Sequence, residues 1–264
     1  MVDYHTHTNR CGHASGTVEE YVESALSNNI LEIGFSDHAP LPESISDGYT
    51  MSASEVEPYI GSIEECRERY KDRIAVRLGF EVDFPLQGSF DKKYFSDHRI
   101  DYLIGSCHFI DGWPFDHPDF IEGYRGRDID DIYASYYSVM ESMAGSKLFD
   151  IMGHFEIIKK FGYRPKRDFG PAVEKIAKIM AAGGIAAEIN TAGMIHPVRE
   201  MYPSDRIIQI FFNCSVPITI GSDAHKPEQV GNLFPEAIDK ITRAGYRKIS
   251  GFSKRKRYDI PLQR

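Results

Sequence analysis

The chain is poor in paired cysteines, in positive charge and in long apolar runs. Cys11, Cys66, Cys107 and Cys214 stand far apart with no CxxC pair. That spacing excludes a zinc knuckle and a small disulfide framework, and it suits a reducing compartment. Lysine and arginine together number 31 against 39 aspartates and glutamates, a formal charge of −8. General affinity for nucleic acid or an anionic membrane is therefore not expected, and an anionic substrate would have to meet a local cluster of cations. No apolar run approaches the roughly 18 residues of a membrane span. The N-terminal residues also lack the basic and apolar regions of a signal peptide, so a cytoplasmic chain is expected. Linkers, low-complexity tracts and repeats beyond the βα unit are missing too, which favours one domain over residues 1–264.

What is present is alternation. The β-rich runs "MVDYH", "LEIGFSDH", "IAVRLGFEVD", "DYLIGSCH", "FDIMGH", "GIAAEIN" and "PITIGSDAH" are separated by segments such as "TVEEYVESALSNN" and "PAVEKIAKIMAAG". In those segments apolar residues recur at three and four, so the pattern predicts βα units around a parallel sheet, about seven of them, close to a closed barrel. "FIDGWPFDHPDFIEGYRGRD", after the fourth strand, is the longest irregular stretch. Its length and aromatic content mark a functional loop. The basic "SKRKRY" near the C-terminus reads as a solvated end and takes no role.

Seven of the ten histidines lie near the C-terminal ends of predicted strands: His5, His7 and His13 after the first, then His38, His108, His154 and His225. Glu81 and Asp223 join them in "GFEVD" and "GSDAH". In parallel barrels that end carries the active site, because the βα loops converge over its mouth. A single strand-end histidine is commonly structural, but imidazoles and carboxylates gathered from several strands are the usual ligands of Zn, Fe and Mn. Nine candidate donors exceed the four of one closed zinc site, which favours two or three metals with a carboxylate bridging at least one pair.

The set "HTHTNRCGH", "SDH", "GFE", "GSCH", "GH" and "GSDAH", in this order, resembles the motifs of the PHP (polymerase and histidinol phosphatase) family over nearly the whole chain. "HFIDGWPFDHPD", "NTAG" near Asn190 and "GSDAHKPEQVG" are similar to the monofunctional histidinol-phosphate phosphatase branch. The resemblance implies a distorted (β/α)7 barrel with three divalent metal ions, Zn, Mn or Fe, on its C-terminal rim. By motif, His5, His7, Glu81 and Asp223 would hold one metal, and Glu81, His108 and His154 a second. His13, His38 and His225 would hold the third, with Cys11 a neighbour rather than a ligand.

The expected reaction is hydrolysis of a phosphate monoester, with L-histidinol phosphate in histidine biosynthesis as the implied substrate. Clustered divalent cations suit it, because they deliver a hydroxide and neutralise phosphoryl oxygens during in-line attack. Neither a Cys-x5-Arg loop nor a DxDx(T/V) motif is present, so no phosphoenzyme is expected. Glu81, Asp223 and His225 are the expected catalytic groups, with Asp223 or a nearby histidine protonating the leaving alkoxide. Lys160 and Arg199 follow strand ends, and related phosphatases use basic residues in these loops on the phosphate; Glu43, His117 and the loop containing Asp116 suit the ammonium and imidazole. Two alternatives stand beside this reading: a PHP phosphoesterase acting on nucleotides or nucleic-acid ends, and a non-catalytic metal-binding module. Acidic charge counts against the first and the full donor set against the second. No sequence signal sets an oligomeric state.

Overall fold

A computed structural model describes residues 1–46, 48–86 and 90–262, apart from the side chains of Glu43 and Ser46. Seven strands form one sheet: β1 (Val2–Asp3), β2 (Glu32–Phe35), β3 (Ala75–Asp83), β4 (Tyr102–Ser106), β5 (Ile151–Met152), β6 (Ala186–Asn190) and β7 (Ile218–Gly221). They neighbour one another in chain order, and every pair within the sheet is parallel. The ends meet, because Tyr4 N–H donates to Ile220 O (3.4 Å), Ala224 N–H to His5 O (3.2 Å) and His7 N–H to Ala224 O (2.8 Å). The result is the near-closed (β/α)7 barrel expected from the alternating pattern.

Helices α1 (Val18–Ser27), α2 (Glu43–Ser46), α3 (Val56–Tyr70), α4 (Ile129–Ser146), α5 (Gly170–Gly183), α6 (Asp205–Asn213) and α7 (Phe234–Ala244) accompany the strands. Local signals start and stop them. Thr17 Oγ1 accepts from Glu20 N–H at 3.3 Å while Glu20 Oε2 accepts from Thr17 N–H at 2.7 Å, a reciprocal cap on α1. The α5 helix ends on Gly184 at φ 70°, a left-handed position that glycine adopts without strain. On α3, Tyr59, Ile60 and Ile63 are fully buried, each aliphatic side chain contributing about 1.5–3 kcal/mol. Between β3 and β4 the chain departs from strict alternation: among the described residues a 3-10 turn, Lys92–Ser96, stands where an α-helix would be.

A barrel of seven strands is narrow, and its interior shows how the space is filled. A Cβ on Gly34 would lie 2.3 Å from the Tyr102 hydroxyl, and one on Gly79 would lie 2.5 Å from the Tyr102 ring. These two glycines admit the ring, whose hydroxyl donates to Tyr4 O at 2.7 Å. A C-terminal hairpin, Lys248–Ser253 with Lys256–Pro261, covers the N-terminal end of the barrel. There Phe252 stacks edge-on against Tyr4, and Lys254 N–H donates to Asp101 Oδ1 at 3.0 Å. Part of "SKRKRY" is thus structural rather than solvated: Arg255 bonds Asp150 and the carbonyls of Phe95 (3.0 Å) and Leu148 (2.7 Å).

No helix among the described residues is long and apolar enough to cross a membrane.

Candidate metal centre

The ends of β1, β2, β4, β5 and β7, with β3 itself, bring nine donors together at the C-terminal end of the barrel. His5 and His7 leave β1 two residues apart, so their rings share a face, with centroids 5.0 Å apart. Both are fully buried. His13 lies beyond a 3-10 turn, Asn9–Cys11, and its Nδ1 sits 2.9 Å from Cys11 O. His38, His108 and His154 follow β2, β4 and β5, while Asp223 and His225 follow β7. Asp223 takes φ 55°, uncommon for a residue other than glycine and typical of strained functional positions.

Glu81, on β3, is the hub. Its Oε1 lies 2.8 Å from His154 Nε2 and 3.5 Å from His108 Nε2. Its Oε2 lies 3.2 Å from His5 Nε2, 3.4 Å from His7 Nε2 and 3.1 Å from His38 Nδ1. Asp223 Oδ1 stands 3.3 Å from His7 Nε2 and 3.7 Å from His5 Nε2. Around these atoms the donor groups overlap as His5, His7 and Glu81; Glu81, His108 and His154; His5, His154 and Asp223; His7, His38 and His225; and His38, Asp83 and His108. His13 joins through His225, their Nε2 atoms 2.9 Å apart.

A further ring of polar groups orients these donors, and the sequence reading passed over it. His108 Nδ1 sits 2.8 Å from Asp83 Oδ1, and His5 Nδ1 sits 2.7 Å from Glu188 Oε1. Such outer hydrogen bonds fix ring orientation and raise ligand basicity. Asn190 Nδ2 donates to Asp223 Oδ2 at 3.2 Å. Cys11 Sγ lies 3.4 Å from His7 Nδ1 and donates to Asp37 Oδ1 at 3.0 Å. It lies beside the grouped donors without belonging to any of the groups. The available signal for Glu188 was its charge inside the apolar run "AAEIN", since a carboxylate buried in a strand needs a partner.

The charges are strongly coupled. Burial pushes the Glu81 carboxyl up, but His38, His5 and His108 outweigh it and hold the group well below the usual range. Burial likewise pushes Asp223 up, but His5, His7 and His225 together outweigh it and hold the group well below the usual range. Burial disfavours charge on His5 and His108, yet the carboxylates around them, Glu188, Asp223 and Glu81 for the first and Asp83, Asp116 and Glu81 for the second, together carry both above the ordinary histidine value, His108 to about 10. His7 is lowered to about 3, by burial and then by His225.

His5 Nε2, His7 Nε2 and His154 Nδ1 are buried without a hydrogen-bond partner, although the two Nε2 atoms stand within ion-pair distance of carboxylates. Unpartnered buried ring nitrogens are costly unless something else occupies their lone pairs. Imidazole and carboxylate donors in this proportion fit divalent cations, so this is a metal-binding centre.

Above the donors opens a cavity of about 770 Å³ lined by His13, His38, Glu81, His154, Asp223 and His225, and by Lys160, Asp116, His117 and His196. Lys160 Nζ donates to Asp116 Oδ2 at 3.4 Å. His117 Nδ1 accepts from Asp119 N–H at 3.2 Å, while its Nε2 is buried without a partner. His196 also faces the cavity, lowered to about 4 by burial and by Lys160. Arg199 is not among the lining residues; it is exposed and donates to Met194 O at 3.2 Å. The Glu43 side chain lies outside the described residues, and His98 is exposed.

The PHP domain family's profile matches residues 3–192. A probable histidinol-phosphatase of Deinococcus radiodurans is 37% identical over 252 residues, 95% of this chain and 96% of that protein. The histidinol-phosphatase of Bacillus subtilis is 26% identical over 263 residues, 90% of this chain and 98% of that protein. Among solved structures, the histidinol phosphate phosphatase of Lactococcus lactis, complexed with zinc, L-histidinol and phosphate, superposes with a TM-score of 0.80 at 20% identity, covering 97% of this chain and 98% of that one.

Proposed function

This chain belongs to the PHP domain family, and from that premise we propose that it is a metal-dependent phosphomonoesterase, a histidinol-phosphatase that converts L-histidinol phosphate to L-histidinol and phosphate. Carrying the reading is the donor-lined cavity, whose buried imidazole nitrogens lack partners beside a lysine. The Deinococcus radiodurans relative, similar over nearly its full length, supports the substrate. In this reading the protein is one PHP domain over residues 1–264, acts in the cytoplasm in histidine biosynthesis, and holds three divalent ions of Zn, Mn or Fe. His5, His7, Glu81 and Asp223 hold the first, Glu81, His108 and His154 the second, and His13, His38 and His225 the third.

Bound divalent cations lower the pKa of water and neutralise phosphoryl oxygens. The remaining work falls to the chain. Glu81 ties two groups of imidazoles together through its two oxygens. Lys160 pairs with a phosphoryl oxygen after yielding its bond to Asp116, which is left to meet the substrate ammonium. The His117 ring nitrogen without a partner donates to the substrate, and Glu43 is a further substrate-binding residue in this reading. Arg199 reaches the phosphate by exchanging its bond to Met194 O. The turn carrying Asp223 and His225 supplies the proton for the leaving alkoxide.

Phosphate release from L-histidinol phosphate, nucleoside monophosphates and p-nitrophenyl phosphate, with and without chelation, tests this. Chelator-sensitive release greatest from histidinol phosphate is expected. Preference for nucleotides, or no release from the metal-replete chain, overturns it.

A further inference from the structure

Glu188, on β6, coordinates nothing in the donor groups above, yet three of their members hang from it. Oε1 lies 2.7 Å from His5 Nδ1. Oε2 accepts from the backbone N–H of His154 at 2.6 Å and from Asn190 Nδ2 at 3.1 Å. The same Asn190 Nδ2 donates to Asp223 Oδ2 at 3.2 Å, and Asn190 Oδ1 accepts from Ala192 N–H at 2.9 Å, so the amide cannot turn over. The side chain is 1% exposed. Gly221, on β7, makes room for it, since an added Cβ would lie 2.0 Å from Glu188 Oε1.

Each carboxylate oxygen therefore has a set role. With two N–H donors on Oε2, that position must be an acceptor. A carboxylate also leaves Oε1 as an acceptor, so His5 presents Nδ1–H to it and turns Nε2, the nitrogen left for a cation, toward Glu81 and Asp223.

We infer that Glu188 is a positioning residue that fixes the tautomer of His5 and, through Asn190, the carboxylate of Asp223. The inference rests on the metal-centre reading above. Its distinctive consequence concerns Glu188→Gln, a change of nearly equal volume. The glutamine oxygen must stay on the two N–H donors, so its NH2 faces His5 Nδ1. His5 then accepts at Nδ1 and carries its proton on Nε2, where ligation needs a lone pair. A polar substitution of the same shape thus removes a ligand without touching it.

Zinc binding to the full chain tests this, followed by elemental analysis after equilibration at graded free zinc. Circular dichroism verifies folding, and long-range 15N spectra of the His5 ring report its protonation. Glu188→Gln is expected to weaken the zinc held by His5 by at least the ~10- to 100-fold typical of losing an outer partner, with the ring proton moved to Nε2. Wild-type affinity in folded Glu188→Gln, or a proton still on Nδ1, overturns the inference. Should that variant fail to fold, the zinc-loaded wild type decides: a protonated Nδ1 and a metal-bound Nε2 on His5 support it, and a bare Nδ1 overturns it. A wild type that takes up no zinc would overturn the metal-centre reading itself, and the inference with it.

Discussion

At the N-terminal end of the barrel Arg77 donates to Glu32 at 2.8 Å, Arg67 to Asp101 at 2.5 Å, and Arg255 to Asp150. At the C-terminal end five imidazoles stand within 3.5 Å of the single carboxylate of Glu81. The first end matches donors to acceptors, and each guanidinium there has its carboxylate. The second stacks like on like, His7 against His38 and His225 at centroid distances of 4.6 and 4.4 Å, and leaves ring nitrogens bare. Charge paired in this way is complete without a ligand, whereas crowded imidazoles around a carboxylate are complete only with cations. One end is covered by the hairpin and tied by paired charge, and the other is built for chemistry.

Breaking the hub should do most. Glu81→Ala removes a carboxylate shared by two donor groups, so kcat/KM is expected to fall by more than the ~100-fold typical of outer-shell losses, with metal per chain falling in elemental analysis. Next is the response to pH. Metal must displace protons from His5 and His108, both held above the ordinary histidine value by carboxylates. Apparent affinity should therefore rise with pH through neutrality and keep rising above about pH 8, toward the value of about 10 to which His108 is raised, as competition with a metal indicator would show. A flat profile would mean that these imidazoles are not ligands.

Lys160→Met should leave metal content intact while costing about 1.5–3 kcal/mol of phosphate binding. Steady-state kinetics would then show KM raised roughly 10- to 100-fold. The smallest effect on activity belongs to the opposite end. Arg255→Ala strips partners from Asp150 and two carbonyls and should lower stability by about 1–3 kcal/mol in denaturant unfolding, with kcat/KM unchanged in the folded protein. A loss of activity there would blur the division between the two ends.

The barrel was legible because period-two strands and three-four helices recur along the chain, and because His5, His38, His108, His154 and Asp223 each stand at or just beyond a strand's end. Their convergence follows from parallel topology alone. Glu188 and Asp83 escaped because an outer partner is defined by strand register across the barrel, which composition does not carry. Arg199 shows the same limit in a loop: its position after β6 suggested the rim, but the partner of its guanidinium in this structure, Met194 O, is set by the loop's own path rather than by composition. The hairpin that closes the N-terminal end was hidden by its own charge. Arg255 reads as a solvated cation until Asp150 and two carbonyls are seen around it.

Anomalous scattering from crystals of the zinc-loaded protein addresses the central claim most directly. The account predicts peaks on both sides of Glu81, one beside His5 and His7 and one beside His108 and His154, with a further peak near His13, His38 and His225. Zinc-loaded crystals with no peak among these side chains would contradict it.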